Sequence, residues 1–154
     1  MAKSRSFYGL LALALTSCGP GSTFQPQSQS GIPKDLNPEC LITRVVDGDT
    51  VAMACSAPDE NVRLIGFDTA ETFRPKCEAE RQLGLIAKEY LTATLHNATS
   101  VQTRFDGRDR YNRPLVELTI DGKKLADIMV EGGYAVAYDG GKRIDWCNKL
   151  SGSL

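Results

Sequence analysis

The sequence predicts an α+β domain built from five short strands, one longer helix and one short helix. Segments of alternating polar and apolar residues predict the strands. A stretch with apolar residues three and four apart predicts the longer helix, and a second stretch that ends at a glycine pair predicts the short one. The chain has 154 residues, of which 42% are hydrophobic and 24% charged. This composition is typical of one globular domain with a short extension.

The first three strands lie in the N-terminal half of the predicted domain. Strands over residues 41–46 and 50–55 flank a turn at Asp47 and Gly48, and a third strand covers residues 61–67. The longer helix follows over residues 78–95, where apolar residues recur at helical spacing.

Two more strands, over residues 100–105 and 115–120, are separated by a polar turn. The short helix then covers residues 123–131 and ends at Gly132 and Gly133. Five strands with a helix between the third and the fourth give the order of an OB-type barrel. Pattern alone leaves this barrel as one of several α+β options.

The first 18 residues have the pattern of an export signal. Lys3 and Arg5 precede an apolar run over residues 7–15, which is too short to span a bilayer. The small residues that follow end in Cys18 and resemble the bacterial lipobox, in which the cysteine is lipidated. Ordinary signal-peptidase cleavage nearby is the alternative. We therefore expect an exported protein, either a bacterial cell-envelope lipoprotein or a secreted one, that meets the membrane only through a lipid anchor at Cys18.

A tether and a domain rich in disulfides follow this signal. Residues 19–38 are rich in Pro, Gly, Ser and Gln without periodicity, which predicts a flexible tether before a folded domain over residues 39–154. The four cysteines beyond Cys18 form an even set, and in an exported domain this indicates two disulfides. Zinc is the alternative, but the sequence has no C-x-x-C spacing.

The turn predicts how these cysteines pair. A two-residue turn at Asp47 and Gly48 would place Cys40 opposite Cys55, at a hydrogen-bonded pair whose side chains lie relatively far apart. We therefore expect a bulge or a frayed strand end beside this bridge. Cys77 is then left to pair with Cys147, which closes a long loop worth roughly 4 kcal/mol.

Charge and histidine content exclude several classes of protein. Lys and Arg number 18 against 19 Asp and Glu, a formal net charge of -1, so the chain lacks the cation excess of a histone-like nucleic-acid binder. The single histidine, His96, argues against multi-histidine metal sites and against most histidine-based triads.

Three polar clusters carry the candidate chemistry. Taken singly, DGDT at residues 47–50 is a hairpin turn with Asp49 as an extra carboxylate, and RDRYNRP at residues 108–114 is a solvated basic loop. The segment RLIGFDTAET at residues 63–72 starts in a strand, and its Asp68 and Glu71 come just past the strand end. Functional groups often collect at such positions.

Together, the three clusters resemble the pattern of the thermonuclease (staphylococcal nuclease-like) family. That pattern is a DGDT turn, an R-L-x-x-x-D-T-x-E-T segment and a later Y-x-R, and the resemblance extends over residues 41–138. It implies an OB-fold five-stranded β-barrel and a calcium-dependent nuclease that hydrolyses DNA and RNA to 3′-phosphate products. Single-stranded DNA and RNA would be the favoured substrates, since the cleft must reach the backbone and stack a base. We expect a monomer.

The resemblance also implies roles for individual residues. Asp49 and Asp68 would be the carboxylate ligands of Ca²⁺, with the main-chain carbonyl of Thr69 beside them. The catalytic residues would be a general base, Glu71, and two phosphate-binding arginines, Arg63 and Arg113. Three further residues would bind substrate: Tyr111 and Arg110 at the terminal phosphate, and Tyr138 as the candidate for stacking on the base.

The alternative function is a catalytically silent OB-fold module that binds an oligonucleotide or a protein partner at the cell surface. Silent members of a family usually lose charged site residues. This chain matches all five key positions, which are Asp49, Arg63, Asp68, Glu71 and Arg113. The match favours the enzyme.

Overall fold

The structure is a computed structural model that describes residues 40–55 and 58–152. The predicted signal peptide or lipobox over residues 1–18, with Cys18, lies outside the described residues, and so does the predicted tether over residues 19–38. Within the described part of the chain, no helix is both long enough and apolar enough to cross a membrane.

The described residues form eight strands and three helices. The strands are β1 (Leu41–Asp47), β2 (Thr50–Ala54), β3 (Glu60–Leu64), β4 (Gly66–Thr69), β5 (Val101–Arg108), β6 (Pro114–Ile120), β7 (Lys123–Lys124) and β8 (Ala135–Tyr138). The helices are α1 (Glu78–Asn97), α2 (Leu125–Glu131) and α3 (Trp146–Ser151).

Two sheets organise these strands. The larger sheet has the order β1-β2-β3-β6-β5, with β7 added to β6; its β3–β6 pair is parallel and the other pairs are antiparallel. The smaller sheet consists of β4 and β8, paired antiparallel. The α+β class is thus confirmed, whereas the pairings among the described residues do not close the larger sheet into a barrel.

The single strand predicted over residues 61–67 is wrong, because the chain leaves the larger sheet after Leu64. Gly66 has φ +95, a conformation that L side chains rarely adopt, and a Cβ there would lie 2.9 Å from the Cβ of Ala126. The chain bends at this glycine, and β4 pairs with β8 instead. The bend places Arg63 and Asp68 in different sheets.

Three C-terminal elements also differ from the prediction. Strand β8 and helix α3 were not predicted, and α2 begins at Leu125 because Lys123 and Lys124 pair with β6. A four-residue strand and a six-residue helix are both too short to show a periodic pattern. Helix α3 packs against α1, and its N-cap Asp145 accepts from the backbone N–H of Asn148 at 3.1 Å.

The hairpin turn lies one residue later than predicted. Asp47 pairs with Thr50, so the turn residues are Gly48 and Asp49. Two register shifts in β1 then realign the strands, so that Leu41 faces Ala54. As a result Cys40 is bonded to Cys55, which is the predicted pairing. The bulge expected beside this bridge is also present, between Ile42 and Arg44.

The second disulfide joins Cys77, the N-cap of α1, to Cys147 in α3, again in the predicted pairing. Because these two residues lie 70 positions apart, the bridge fastens the C-terminal segment to the middle of the domain. Helix α1 buries one stripe against the larger sheet, formed by Gly84, Ala87, Leu91 and Leu95.

Two glycines allow α1 and the turn to approach the candidate site closely. A Cβ on Gly84 would lie 2.7 Å from the carbonyl oxygen of Ala70, so only glycine lets α1 pack against the backbone that leads to Glu71. A Cβ on Gly48 would lie 2.8 Å from the hydroxyl of Thr69. Both contacts position the residues that the sequence singles out.

Candidate active site

A buried ion cluster joins β3, β4 and the hairpin turn. Arg63 lies between two carboxylates: its Nη1 contacts Asp49 Oδ1, and its Nη2 donates to Asp68 Oδ1 at 3.0 Å. The side chain of Arg63 is 9% exposed, and both aspartates are buried. Since buried charges are costly without partners, these three groups depend on one another.

Neighbouring donors fix the other oxygens of the two carboxylates. Asp49 Oδ2 accepts from both the backbone N–H and the hydroxyl of Thr69, at 3.3 and 3.1 Å. Asp68 Oδ2 accepts from Nε1 of Trp146 at 3.2 Å. The buried indole therefore connects α3 to the site, and the sequence offered no signal for this contact.

A second guanidinium contacts the same carboxylates. Nε of Arg143 lies 2.9 Å from Asp68 Oδ1, and its Nη2 lies 3.8 Å from Asp49 Oδ2, so Arg143 forms an ion pair with each aspartate. Arg143 follows β8 after two glycines with positive φ, Gly140 and Gly141. No sequence signal points to this residue, because a Gly-Gly-Lys-Arg stretch after an unpredicted strand matches no motif.

Asp47 adds a third carboxylate at the hairpin turn. Its Oδ1 accepts from the backbone N–H of Asp49 at 3.1 Å. Burial and the neighbouring charge of Asp49 raise the pKa of Asp47 to about 6. Negative charge is therefore concentrated at this end of the hairpin.

Glu71 lies on the loop between β4 and α1. Its Oε1 accepts from the backbone N–H groups of Thr72 and Phe73, at 3.0 and 3.1 Å. These bonds hold the half-buried carboxylate in one orientation, and neither of them involves Oε2.

Arg113 belongs to the β5–β6 loop and pairs with Asp109 rather than with Asp49 or Asp68. Its Nε and Nη2 lie 2.8 and 2.7 Å from Asp109 Oδ2. Burial raises the pKa of Asp109, but hydrogen bonds from Arg113 and Tyr111 lower it further, so the net pKa is below the usual value. The guanidinium groups of Arg110 and Arg113 lie 4.8 and 5.8 Å from the ring of Tyr111.

One open cleft, with a volume of about 1470 Å³, brings these groups together. Its lining includes nearly all the predicted site residues, together with Arg143: Asp49, Arg63, Thr69, Glu71, Arg110, Tyr111, Arg113 and Tyr138. Asp68 lies behind this surface and is 1% exposed. The three sequence clusters therefore meet in space.

The donor set fits a hard divalent cation. Asp49 and Asp68 contact the same guanidinium, so their carboxylates converge, and carboxylate oxygens are the ligands that Ca²⁺ prefers. A group of three His, Cys, Asp or Glu side chains with ligand atoms within 4.8 Å of one another occurs once in the described ranges, at Cys77, Glu80 and Cys147. Its two cysteines are joined in a disulfide and offer no thiolate to zinc.

Comparison with known proteins agrees with this geometry. Residues 61–149 match the family model described as staphylococcal nuclease homologue. Endonuclease YncB of Bacillus subtilis (strain 168) is 30% identical over 122 residues, which cover 74% of this chain and 57% of that protein. A thermonuclease of Staphylococcus intermedius is 38% identical over 99 residues, which cover 63% of this chain and 58% of that protein. The chain thus spans less than two thirds of the length of these relatives.

Proposed function

Since the chain belongs to the family of staphylococcal nuclease homologues, we propose that it is a Ca²⁺-dependent phosphodiesterase that hydrolyses DNA and RNA to 3′-phosphate products. The observation that carries this proposal is the buried cluster of Asp49, Arg63 and Asp68, in a cleft that also contains Glu71 and Arg113. Relatives named endonuclease and thermonuclease support the same reaction class.

Asp49 and Asp68 would hold the ion, with the main-chain carbonyl of Thr69 beside them. When bound, Ca²⁺ would neutralise the negative charge that grows on the phosphoryl oxygens. Arg63 and Arg113 would donate paired N–H groups to the same phosphodiester, which is already anionic. Lysine is a poor substitute for either residue because a point charge cannot make two parallel hydrogen bonds.

Glu71 would act as the general base that takes the proton from the attacking water. The two backbone N–H groups on its Oε1 fix the carboxylate, and the proton would be taken by Oε2. The loop carrying Glu71 is itself fixed by its close packing against Gly84 of α1.

The substrate would be single-stranded nucleic acid. Arg110 and Tyr111 would contact a terminal phosphate, and Tyr111 is 67% exposed. Tyr138 lies at the cleft and would stack on a base, an interaction open only to unpaired strands. Arg113 would exchange Asp109 for a substrate phosphate.

Incubation of the purified protein with single-stranded DNA tests the reaction. We expect cleavage with Ca²⁺, no cleavage with EGTA, and full recovery when Ca²⁺ is restored; mass spectrometry of the products should show 3′-phosphates. Binding of the DNA without cleavage, unchanged by Ca²⁺, would instead identify a silent binding module. A rise in thermal stability with Ca²⁺ but no turnover would identify a structural ion.

The proposal extends to architecture and location. The five longer strands of the larger sheet, with α1 before β5, are compatible with the partly open barrel of an OB fold. We propose an exported monomer anchored by a lipid at Cys18. The intact mass of the mature protein should show a diacylglyceryl-sized addition on a chain that starts at Cys18. An unmodified N-terminus beyond this residue would contradict the anchor.

A further inference from the structure

Among residues 40–55 and 58–152, Arg143 is the one arginine at the buried carboxylates to which the proposed function gives no role. It shares Asp49 and Asp68 with Arg63, yet its environment differs. The side chain of Arg143 is 44% exposed, against 9% for Arg63. It forms two ion pairs, a close one with Asp68 at 2.9 Å and a longer one with Asp49 at 3.8 Å.

We propose that Arg143 is a substrate-binding residue that exchanges partners. Without a divalent cation it neutralises Asp49 and Asp68, and with a cation on these carboxylates it binds a phosphate group of single-stranded nucleic acid in the cleft. The inference rests on the proposed function and deepens it, since it assigns the site a third phosphate-binding arginine.

Charge balance supports the exchange. Asp49, Asp68, Arg63 and Arg143 together are neutral, so a divalent cation among them adds two positive charges, of which the neighbouring carboxylate of Asp47 offsets one at most. Arg63, whose side chain is 9% exposed, is held at the cleft wall between the two carboxylates, so a phosphate must come to it there. Arg143 is half-exposed and lines the cleft, so it is the cation that can turn from the carboxylates toward an incoming anion.

The backbone around Arg143 supports the same interpretation. The hydroxyl of Tyr138 donates to the carbonyl oxygen of Gly141 at 2.8 Å, and the buried indole of Trp146 follows Arg143 closely in the chain. The segment is therefore fixed on both sides of Arg143. A change of partner then needs only rotation of its long side chain at the cleft wall.

The chain contains its own fluorescent probe of the pairing between Arg143 and the two aspartates. Trp146 is the single tryptophan, and its Nε1 donates to Asp68. Tryptophan fluorescence of the full protein should therefore respond to Ca²⁺. We expect Arg143→Ala to bind Ca²⁺ about fivefold more tightly than the parent, because a competing ion pair of ordinary strength is removed. Lys142→Ala, which changes the exposed neighbouring residue, should leave the titration unchanged.

Fluorescence anisotropy of a labelled single-stranded oligonucleotide in Ca²⁺ tests the phosphate contact of Arg143. Every protein in this comparison, including the parent, also carries Glu71→Gln, which slows cleavage during the titration. Arg143→Ala should weaken binding and reduce the slope of log K against log salt by about 0.7, the loss of one phosphate contact on a single strand. Arg143→Lys should keep that slope, and Lys142→Ala should match the parent.

An unchanged salt slope in Arg143→Ala would overturn the substrate contact, and unchanged Ca²⁺ affinity would overturn the competition; either result refutes the exchange. A parent protein that shows no fluorescence response to Ca²⁺ and no calcium-dependent cleavage would overturn the proposed function itself. That failure is distinguishable because it appears before any change at Arg143.

Discussion

Replacement of Glu71 by glutamine is expected to lower kcat on single-stranded DNA by a factor of about 10² to 10⁴, with KM little changed. Glutamine has nearly the same shape, and its carbonyl oxygen can still accept from the backbone N–H groups of Thr72 and Phe73. The amide cannot take a proton from water, so only the chemical step should suffer. Initial rates over a range of substrate concentrations, at saturating Ca²⁺, measure both constants.

Glu89→Gln is the matched control, since Glu89 is an exposed glutamate on α1 and the same atoms are changed. Its kcat and KM should equal those of the parent. A loss of less than tenfold in Glu71→Gln would show that Glu71 is not the base. A rise in KM with kcat retained would place Glu71 in substrate binding instead.

Paired serine substitution of Cys77 and Cys147 is expected to lower the free energy of unfolding by about 4 kcal/mol, because the bridge closes a loop of 70 positions. The Cys40–Cys55 bridge spans 15 positions, so the same change there should cost about 3 kcal/mol. Urea unfolding followed by circular dichroism measures both losses. A smaller loss for Cys77 and Cys147 than for the shorter bridge would contradict the loop-closure argument.

The longer bridge should also matter for the site. It holds α3, and α3 carries the indole that donates to Asp68. Loss of Cys77–Cys147 should therefore weaken Ca²⁺ binding in the folded protein, whereas loss of Cys40–Cys55 at the far end of the hairpin should not. Equal Ca²⁺ affinity in the two double variants would show that α3 keeps its position without the bridge.

The elements that the sequence predicts correctly are those whose own residues carry a clear local pattern. Helix α1 has a buried stripe at helical spacing, and the ends of β1 and β2 meet in the predicted register. The turn lies one residue later than the sequence pattern predicts, because the two bulges in β1 leave no trace in the sequence. Strand β8 and helix α3 are short and depend on contacts with distant residues, so no local pattern identifies them.

The same division applies to the site. The family pattern brought Asp49, Arg63 and Asp68 to attention, and the structure places them in one buried cluster. Arg143 and Trp146 come from the C-terminal segment, which no motif covers, and they reach Asp68 only through the fold. Site residues that belong to a sequence motif are thus predictable, whereas site residues that only the tertiary fold brings to the cluster are not.

The bend at Gly66 has a mechanical consequence. Arg63 and Asp68 are close neighbours in the chain, but one belongs to the larger sheet and the other to the smaller one. The spacing between guanidinium and carboxylate is therefore governed by the angle at which the two sheets meet. A substitution that altered this angle would change all the distances within the buried ion cluster at once, even if the substituted residue lay far from every charged group.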